Sequence, residues 1–298
     1  MEIVWYPGHM AKAKRLLAEQ LGKVDIVVEL CDARLPHASR NPDLDKLAQG
    51  KRRVLLLNKA DLADPQRTAE WIKVFKSQGI AAMPFTATAG RTKEALALLE
   101  KAARDLLEKY AAKGARKTIR AMVVGVPNVG KSTFVNCLHG KTIAKTGDRP
   151  GVTRTNQWVK INPFLELLDT PGLLWPRLDD TTAARRLAYI GSVKDDVVDT
   201  SALTIHLLED MLDTNRDATV ARFHLQNGEL RGAELLDEVC RGRGFLLKGG
   251  NYDYDRCCHV VLDEFRGGKL GKLTLEVPEK EKETNDEAGR EVPGADQL

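Results

Sequence analysis

The sequence has no long apolar run, and this absence argues against a membrane-spanning helix. No apolar stretch approaches the ~20 residues that such a helix needs, and Met1 begins no segment with the features of a secretory signal. The five cysteines form no C-x-x-C pair, so they are expected to be reduced core thiols in a reducing compartment. These absences predict a cytoplasmic protein with no membrane partner.

The net charge of +4 is small, but it is unevenly distributed. Residues 278–298 carry seven acidic and three basic side chains, a net charge of −4, so residues 1–277 carry +8. This tail lacks apolar periodicity and is predicted to be disordered. The basic body suits a polyanionic partner, although many basic proteins bind none.

A glycine-rich segment, Gly125–Ser132 (G-V-P-N-V-G-K-S), lies between a predicted buried strand, Ile119–Val124, and a predicted helix start. In such a phosphate loop, backbone N–H groups surround the phosphates, the lysine reaches the β- and γ-phosphates, and the serine hydroxyl binds Mg²⁺. The alternative is a chance match in a glycine-containing turn. The residues assigned to this loop are Asn128, Val129, Gly130, Lys131, Ser132 and Thr133.

The segment Asp169-Thr-Pro-Gly172 follows an apolar run, Phe164–Leu168. The carboxylate of Asp169 is expected to hold Mg²⁺, through water, and the N–H of Gly172 to contact the γ-phosphate. A D-x-x-G sequence is common by itself. It becomes informative here because it follows a strand and lies downstream of a phosphate loop.

The segment Asn58-Lys59-Ala60-Asp61 follows a predicted strand and indicates which base is bound. The carboxylate of Asp61 can accept hydrogen bonds from N1–H and from the exocyclic amine of guanine. Adenine offers neither donor, so it would leave a desolvated carboxylate unpaired. By itself, N-K-x-D is usually an ordinary turn and helix cap. A second segment is expected to support the base. It is Thr86-Ala87-Thr88, which stands where GTPases usually have the sequence S-A-K.

These motifs run in an unusual order, because the base-reading segments precede the phosphate loop. An ordinary small GTPase has the phosphate loop first and N-K-x-D last. The cyclic order is nevertheless kept, which predicts a circularly permuted GTPase. The alternation of strands and helices predicts an α/β fold with a doubly wound, mostly parallel P-loop sheet. Ligands of such sheets bind at the carboxyl ends of the strands, where all of these motifs fall.

The pattern divides the chain into a permuted GTPase domain at 1–176, a smaller all-α domain at 177–277, and the acidic tail at 278–298. The first domain is expected to begin with an amphipathic helix at 11–22 and to contain a long helix from Thr92 to Ala112. A basic linker at 113–118 takes the place of the natural termini. Strands are predicted at Val24–Leu30, Arg53–Leu57, Ala81–Phe85, Ile119–Val124 and Phe164–Leu168.

Residues 177–277 show helical patterns at 183–190, 203–208, 232–239 and 253–265. In the last of these, Tyr254, Cys257, Cys258, Val261, Leu262 and Phe265 recur on one face, which predicts core positions rather than metal ligands. The domain is also rich in bases, which can form either a solvated face or an RNA-binding surface. The candidate RNA-binding residues are Arg241, Arg243, Lys248, Arg256, Arg266, Lys269 and Lys272.

Over roughly residues 1–275 the chain resembles the circularly permuted YlqF-type GTPases. The resemblance implies action in late maturation of the large ribosomal subunit, with its rRNA as partner. It also favours the RNA-binding interpretation of the C-terminal bases. The matching segments are Trp5–Met10, Asp32–Pro36, Asn58–Asp61, Gly125–Ser132, Arg149–Thr153, Asp169–Gly172 and Gly267–Lys272.

The catalytic step needs a group that orients water, and many GTPases supply a glutamine just after D-x-x-G. Here that place holds Leu173, which has no hydrogen-bonding group. The resemblance implies His9 as the substitute; the alternative is that His9 only anchors the first helix. The resemblance also implies a K⁺ site at Asn128, otherwise a loop-shaping residue. Thr153 is the expected Mg²⁺ ligand of switch I, with Thr155 as the competing choice.

These features together predict an enzyme that hydrolyses GTP to GDP and phosphate and docks on a large-subunit precursor through its C-terminal domain. Mg²⁺ and K⁺ are the expected cofactors, and the protein is expected to be a monomer off the ribosome. The main alternative is a GTP-gated scaffold for a protein partner, with little hydrolysis and no RNA role. A P-loop kinase is a weaker option, because N-K-x-D argues against it.

Overall fold

The first 172 residues contain one sheet in the computed structural model, which describes residues 15–144, 157–172 and 181–278. Within these ranges the sheet has six strands. They are β1 (Ile26–Asp32), β2 (Arg52–Asn58), β3 (Ala81–Pro84), β4 (Ile119–Val124), β5 (Gln157–Asn162) and β6 (Leu165–Asp169). All but β5 are parallel, as the sequence predicted.

The strand order β3-β2-β1-β4-β6-β5 shows how the two halves of the chain meet. The base-reading half contributes β1 to β3 and the phosphate-binding half contributes β4 to β6. The halves join where β1 pairs with β4, with Ile26 opposite Ala121. Every residue of β1 is buried, as expected for a parallel strand that is covered on both faces.

Helices cover both faces of this sheet. On one face, helical residues 15–21 (α1), α2 (Leu44–Leu47) and α3 (Pro65–Ser77) pack against alternate strand residues, including Val27 and Leu55. On the other face, α4 (Thr92–Ala111) and α5 (Lys131–His139) pack against the intervening set, including Val28 and Leu56. This arrangement confirms the predicted doubly wound fold.

Strand β5 is the element that the sequence analysis missed. It pairs antiparallel with β6 at the edge of the sheet, with an irregularity between Lys160 and Asn162. Its residues Gln157, Trp158 and Lys160 are exposed, so the strand lacks the apolar run that identified the others. The predicted helix at 11–22 is helical over the described residues 15–21, and its first residues lie outside the description.

Only helices and turns follow from residue 181, apart from one isolated bridge within the described residues up to 278. The α-helices are α6 (Thr181–Tyr189), α7 (Thr200–Phe223), α8 (Gly232–Arg243) and α9 (Tyr254–Arg266), and a 3₁₀ turn spans Asp195–Val197. Helix α7 is much longer than the predicted segment at 203–208, and the non-helical backbone of Asn215 divides it. The predicted boundary at 176 and the tail from 279 lie outside the described residues.

Helix α9 buries the predicted apolar face, except at its first residue. Cys257, Cys258, Val261, Leu262 and Phe265 are all buried, whereas Tyr254 is 41% exposed and its hydroxyl donates to Asp237. Tyr254 is therefore not a core residue, because its hydroxyl binds a carboxylate at the protein surface. Among the described residues, no group of His, Cys, Asp and Glu has the arrangement of a metal site.

The segment after α9 returns to the sheet. The N–H of Leu273 donates to the carbonyl of Leu62 (3.2 Å), the N–H of Leu275 donates to that of Arg34 (2.9 Å), and the indole N–H of Trp71 donates to that of Glu276 (3.1 Å). These hydrogen bonds connect the helical part, residues 181–278, to the base-reading half of the sheet. None of the helices in the described ranges is both long and apolar enough to cross a bilayer.

Candidate nucleotide-binding site

The predicted phosphate loop connects β4 to α5, so it lies at the carboxyl end of a central strand and the amino end of a helix. Helix α5 begins at Lys131, and its first N–H groups point towards the loop, as an anion requires. Gly130 has φ 95°, and a Cβ atom there would lie 2.4 Å from the side-chain nitrogen of Asn58. A glycine is therefore required where the two motifs touch.

Lys131 is buried, and its ammonium donates to the carbonyl of Val126 (2.8 Å). Burial lowers the pKa of this ammonium to about 8, and the nearby carboxylate of Asp169 acts in the opposite direction. A phosphate in the loop would add negative charge and favour the protonated form. The surroundings of Lys131 therefore suit an anionic ligand.

Ser132 and Asp169 come together as a pair of oxygen ligands. The hydroxyl of Ser132 donates to Oδ2 of Asp169 (3.1 Å), while the buried Oδ1 of Asp169 has no hydrogen-bond partner among the residues that the structure describes. Burial raises the pKa of Asp169, and the Ser132 hydroxyl and the Lys131 charge oppose this. A hydroxyl and a carboxylate oxygen with spare acceptor capacity fit Mg²⁺. Thr153 and Thr155 lie outside the described residues.

Asn58 joins the three nucleotide-binding loops. Its side-chain N–H donates to the carbonyl of Val129 in the phosphate loop (2.7 Å), and its side-chain oxygen accepts from the N–H of Ala87 (3.1 Å). The remaining base-reading residues project around it: Lys59 has a left-handed backbone with φ 58°, and Asp61 is exposed. The side chain of Asn58 thus aligns the loops, which predicts a direct structural role for it.

A cavity of about 510 Å³ opens between these loops and the helical part, within the usual size of a small-molecule site. Nine of the predicted residues line it: Asn58, Lys59, Asp61, Thr86, Ala87, Thr88, Asn128, Gly130 and Thr133. The cavity has five further lining residues that the sequence analysis did not assign to the nucleotide: Leu62, Ile190, Asp263, Arg266 and Gly267.

The helical part contacts the phosphate loop directly. The side-chain N–H of Asn128 donates to the carbonyl of Gly191 (2.5 Å), and the hydroxyl of Ser192 donates to the carbonyl of Pro127 (2.6 Å). Both Gly191 and Ser192 follow α6. No sequence motif marks this turn, so only its position in the fold identifies it as part of the site.

The loop after β6 lies against the phosphate loop. A Cβ atom on Gly172 would come within 2.8 Å of the backbone of Pro127, so the close approach requires a glycine. Gly172, the residue predicted to contact the γ-phosphate, therefore lies next to the phosphate loop. His9, the residue proposed for catalysis, and Leu173, which stands at the usual place of the glutamine, lie outside the described residues.

The seven candidate RNA-binding residues have different surroundings. Arg266 donates to the carbonyls of Ala188 and Tyr189 (both 3.0 Å) and pairs with Asp195. Arg243 pairs with Glu264 (2.9 Å). These two guanidinium groups bind partners within the protein. The other five residues are exposed: Arg241, Lys248, Arg256, Lys269 and Lys272.

Comparison with known proteins agrees with this geometry. A family described as 50S ribosome-binding GTPase matches residues 120–230, which begin at β4 and exclude the base-reading loop. The chain is 46% identical to ribosome biogenesis GTPase A of Bacillus cereus, over 94% of this chain and 95% of the relative. It is 34% identical to ribosome biogenesis GTPase A of Thermotoga maritima, over 92% of this chain and 94% of the relative.

Solved structures show the same fold. A GDP-bound YlqF structure has a TM-score of 0.68 and 28% identity, covering 89% of this chain and all of the other. The GNP-bound YlqF of T. maritima has a TM-score of 0.64 and 28% identity, covering 90% of this chain and 99% of the other. The predicted circular permutation is confirmed by this likeness.

Proposed function

Because the chain belongs to the ribosome biogenesis GTPase A family, we propose that it hydrolyses GTP to drive a late step in assembly of the large ribosomal subunit. GTP hydrolysis itself is the activity of the family. The observation that carries the proposal is the cavity in which base-reading and phosphate-binding loops meet residues of the helical part. In such a site, the nucleotide that is bound can affect the position of the helices.

In the proposed reaction, water attacks the γ-phosphorus, the β–γ phosphoanhydride bond breaks, and GDP and phosphate leave. Asp61 accepts from the guanine base, the backbone of the phosphate loop cradles the phosphates, and the ammonium of Lys131 contacts the β- and γ-oxygens. GTPases use Mg²⁺, and we assign it to Ser132, Asp169 and Thr153, where it would neutralise charge on the phosphates. We assign the orientation of water to His9.

We also propose that the RNA-facing surface lies on the helical part. Its support is the exposure of Lys248, Arg256, Lys269 and Lys272, for which no ion pair is found among the described residues. The guanidinium of Arg256 lies 5.7 Å above the ring of Phe245, which leaves its edge available to phosphate. In this proposal residues 1–176 form the GTPase unit, residues 177–277 form the RNA reader, and the protein is a cytoplasmic monomer off the ribosome.

Binding to purified large ribosomal subunits is expected to fall steeply with salt, because neutralised phosphates release counterions. Changing Lys248, Arg256, Lys269 and Lys272 to glutamine should lower the log–log salt slope by about one for each phosphate that is no longer neutralised. Co-sedimentation across a salt series, with a GTP analogue, with GDP and without nucleotide, measures this. The matched control changes three exposed lysines and one exposed arginine of α4 to glutamine: Lys93, Lys101, Arg104 and Lys109.

A shallow salt slope that the four substitutions do not alter would favour the rival function, a GTP-gated scaffold for a protein partner. That interface would be mostly apolar and would keep its affinity in salt. Equal binding in all three nucleotide states would show that the nucleotide does not control docking.

Potassium is expected to accelerate turnover relative to sodium, because a cation held by Asn128 would neutralise charge that develops on the β- and γ-phosphates. Asn128 occupies the left-handed region at φ 63°, next to Val129 and Gly130 of the phosphate loop. The measurement compares GTP turnover in KCl and NaCl at equal ionic strength, with choline chloride as the control. Equal turnover in the three salts would contradict the potassium site.

A further inference from the structure

The Asp32-Ala-Arg34 segment has no role in the site described so far, although the structure places it directly beneath that site. Asp32 ends β1 and Arg34 follows in the next turn, and both side chains are almost completely buried. Nε of Arg34 donates to Oδ1 of Asp32 (2.9 Å) and Nη2 donates to Oδ2 (2.7 Å). This two-point contact fixes the carboxylate in one orientation.

The same carboxylate also contacts the base-reading loop. The ammonium of Lys59 lies 3.4 Å from Oδ2 of Asp32, and Lys59 also lines the cavity. Burial opposes ionisation of Asp32, but the charges of Arg34 and Lys59 hold its pKa well below its usual range. Asp32 is therefore an anionic group that fixes the position of the Lys59 side chain beside the base pocket.

The third side of the guanidinium faces the helical part. Nη1 of Arg34 donates to the carbonyl of Phe265 (2.5 Å), and the guanidinium lies 4.7 Å above the ring of that residue. Phe265 is in the last turn of α9, whose neighbouring residues Asp263 and Arg266 line the same cavity. The buried side chain of Arg34 thus contacts both Asp32, which pairs with Lys59, and the end of α9, which borders the pocket.

A buried ion pair adds little to the stability of the fold, because desolvation of both charges offsets most of their attraction. The contribution of this pair is to fix the orientation of the side chains. The planar fork of arginine can donate to two carboxylate oxygens and to a third acceptor at once, which the single ammonium of lysine does not reproduce. The guanidinium of Arg34 donates to both carboxylate oxygens of Asp32 and to two carbonyls more than 230 residues away, those of Phe265 and Arg266.

We propose that Arg34 is a positioning residue for guanine-nucleotide binding, which orients Lys59 through Asp32 and ties both to the end of α9. The base pocket is then complete only when α9 is seated against Arg34. This inference rests on the proposed base-reading role of the loop Asn58–Asp61, and it adds the residue through which the helical part controls that loop.

The test is a double-mutant cycle on the full chain, with binding of fluorescent GDP as the measurement. Arg34→Lys is expected to weaken GDP binding about tenfold, the effect of roughly one well-placed polar interaction. Lys59→Met is expected to weaken it at least as much. Because Arg34 acts through Lys59, the double variant should bind within about twofold of Lys59→Met alone, a non-additivity that a merely structural effect would not produce.

Arg53→Lys is the matched control, because Arg53 is also a largely buried arginine of this sheet and pairs with Glu29 and Asp45 away from the cavity. Arg53→Lys should leave GDP affinity unchanged. If Arg34→Lys does not fold, the neutral pair Asp32→Asn/Arg34→Gln replaces it, since it leaves no buried charge unpaired. That pair should also bind GDP about tenfold more weakly than the parent.

Three outcomes would overturn the inference. They are normal GDP affinity of the Arg34 variants, a loss equal to that of Arg53→Lys, and additive effects of the Arg34 and Lys59 substitutions. The parent chain's preference for GDP over ADP separates this inference from the proposed function. If that preference is absent, the base-reading assignment fails and the inference fails with it; if it is present and Arg34→Lys binds normally, the inference alone fails.

Discussion

Asp61→Asn is expected to move the nucleotide preference of the protein from guanine to xanthine. The carboxylate of Asp61 accepts from both N1–H and the 2-amine of guanine, whereas an asparagine side chain offers one acceptor and one donor. Xanthine has a carbonyl at C2 and therefore matches the altered side chain. Once the bound base covers the side chain of residue 61, such a mismatch costs several kcal/mol, so GDP affinity should fall by about 10²-fold or more.

Competition of GDP and XDP for the site measures this change without interference from hydrolysis. Asp64→Asn is the matched control, because Asp64 lies in the same loop but caps α3, where its side chain accepts from the N–H of Arg67 (2.9 Å). Asparagine is an equally good cap, so this control should leave both affinities unchanged. Full GDP affinity in Asp61→Asn, with no gain for XDP, would contradict the base-reading assignment.

His9→Ala is expected to slow GTP turnover on the large subunit by about 10² to 10⁴-fold while leaving GDP affinity near normal. This is the usual contribution of a group that moves a proton or orients water. A neutral imidazole can do this near pH 7. Single-turnover hydrolysis with subunits present measures the chemical step.

Two further variants test whether the effect is specific. His206→Ala removes a histidine of α7 that pairs with Glu209 and does not line the cavity, so turnover should not change. Leu173→Ala should change the rate far less than His9→Ala, because leucine has no hydrogen-bonding group to lose. Parental turnover of His9→Ala on the subunit would remove His9 from the mechanism.

The GTPase part was predictable because its signals are local. A buried parallel strand such as β1 has a mostly apolar sequence. The loops after β2 and β4 carry residues whose spacing follows from the shape of a nucleotide. Strand β5 escaped prediction for the opposite reason. Its pairing with β6 depends on a neighbour in space, and its exposed residues Gln157, Trp158 and Lys160 resemble those of a loop.

The basic residues of the helical part show where sequence patterns stop being informative. Arg266 and Lys269 are both bases in one short segment, and nothing in their sequence separates them. In the structure Arg266 is half-buried against Asp195 and two carbonyl groups, whereas Lys269 is exposed. The partners of Arg266 lie more than 70 residues away, and only folding brings them within reach.

Sequence alone was enough to establish the permuted α/β fold and the chemical kind of ligand, because the residues that surround a phosphate or read a base lie within a few positions of one another. The tertiary structure was needed to show that α9 closes the same cavity and that Arg34 lies between Asp32 and Phe265. Hydrogen bonds and ion pairs depend on distances in space. Contacts between residues 231 positions apart therefore leave no trace in local sequence.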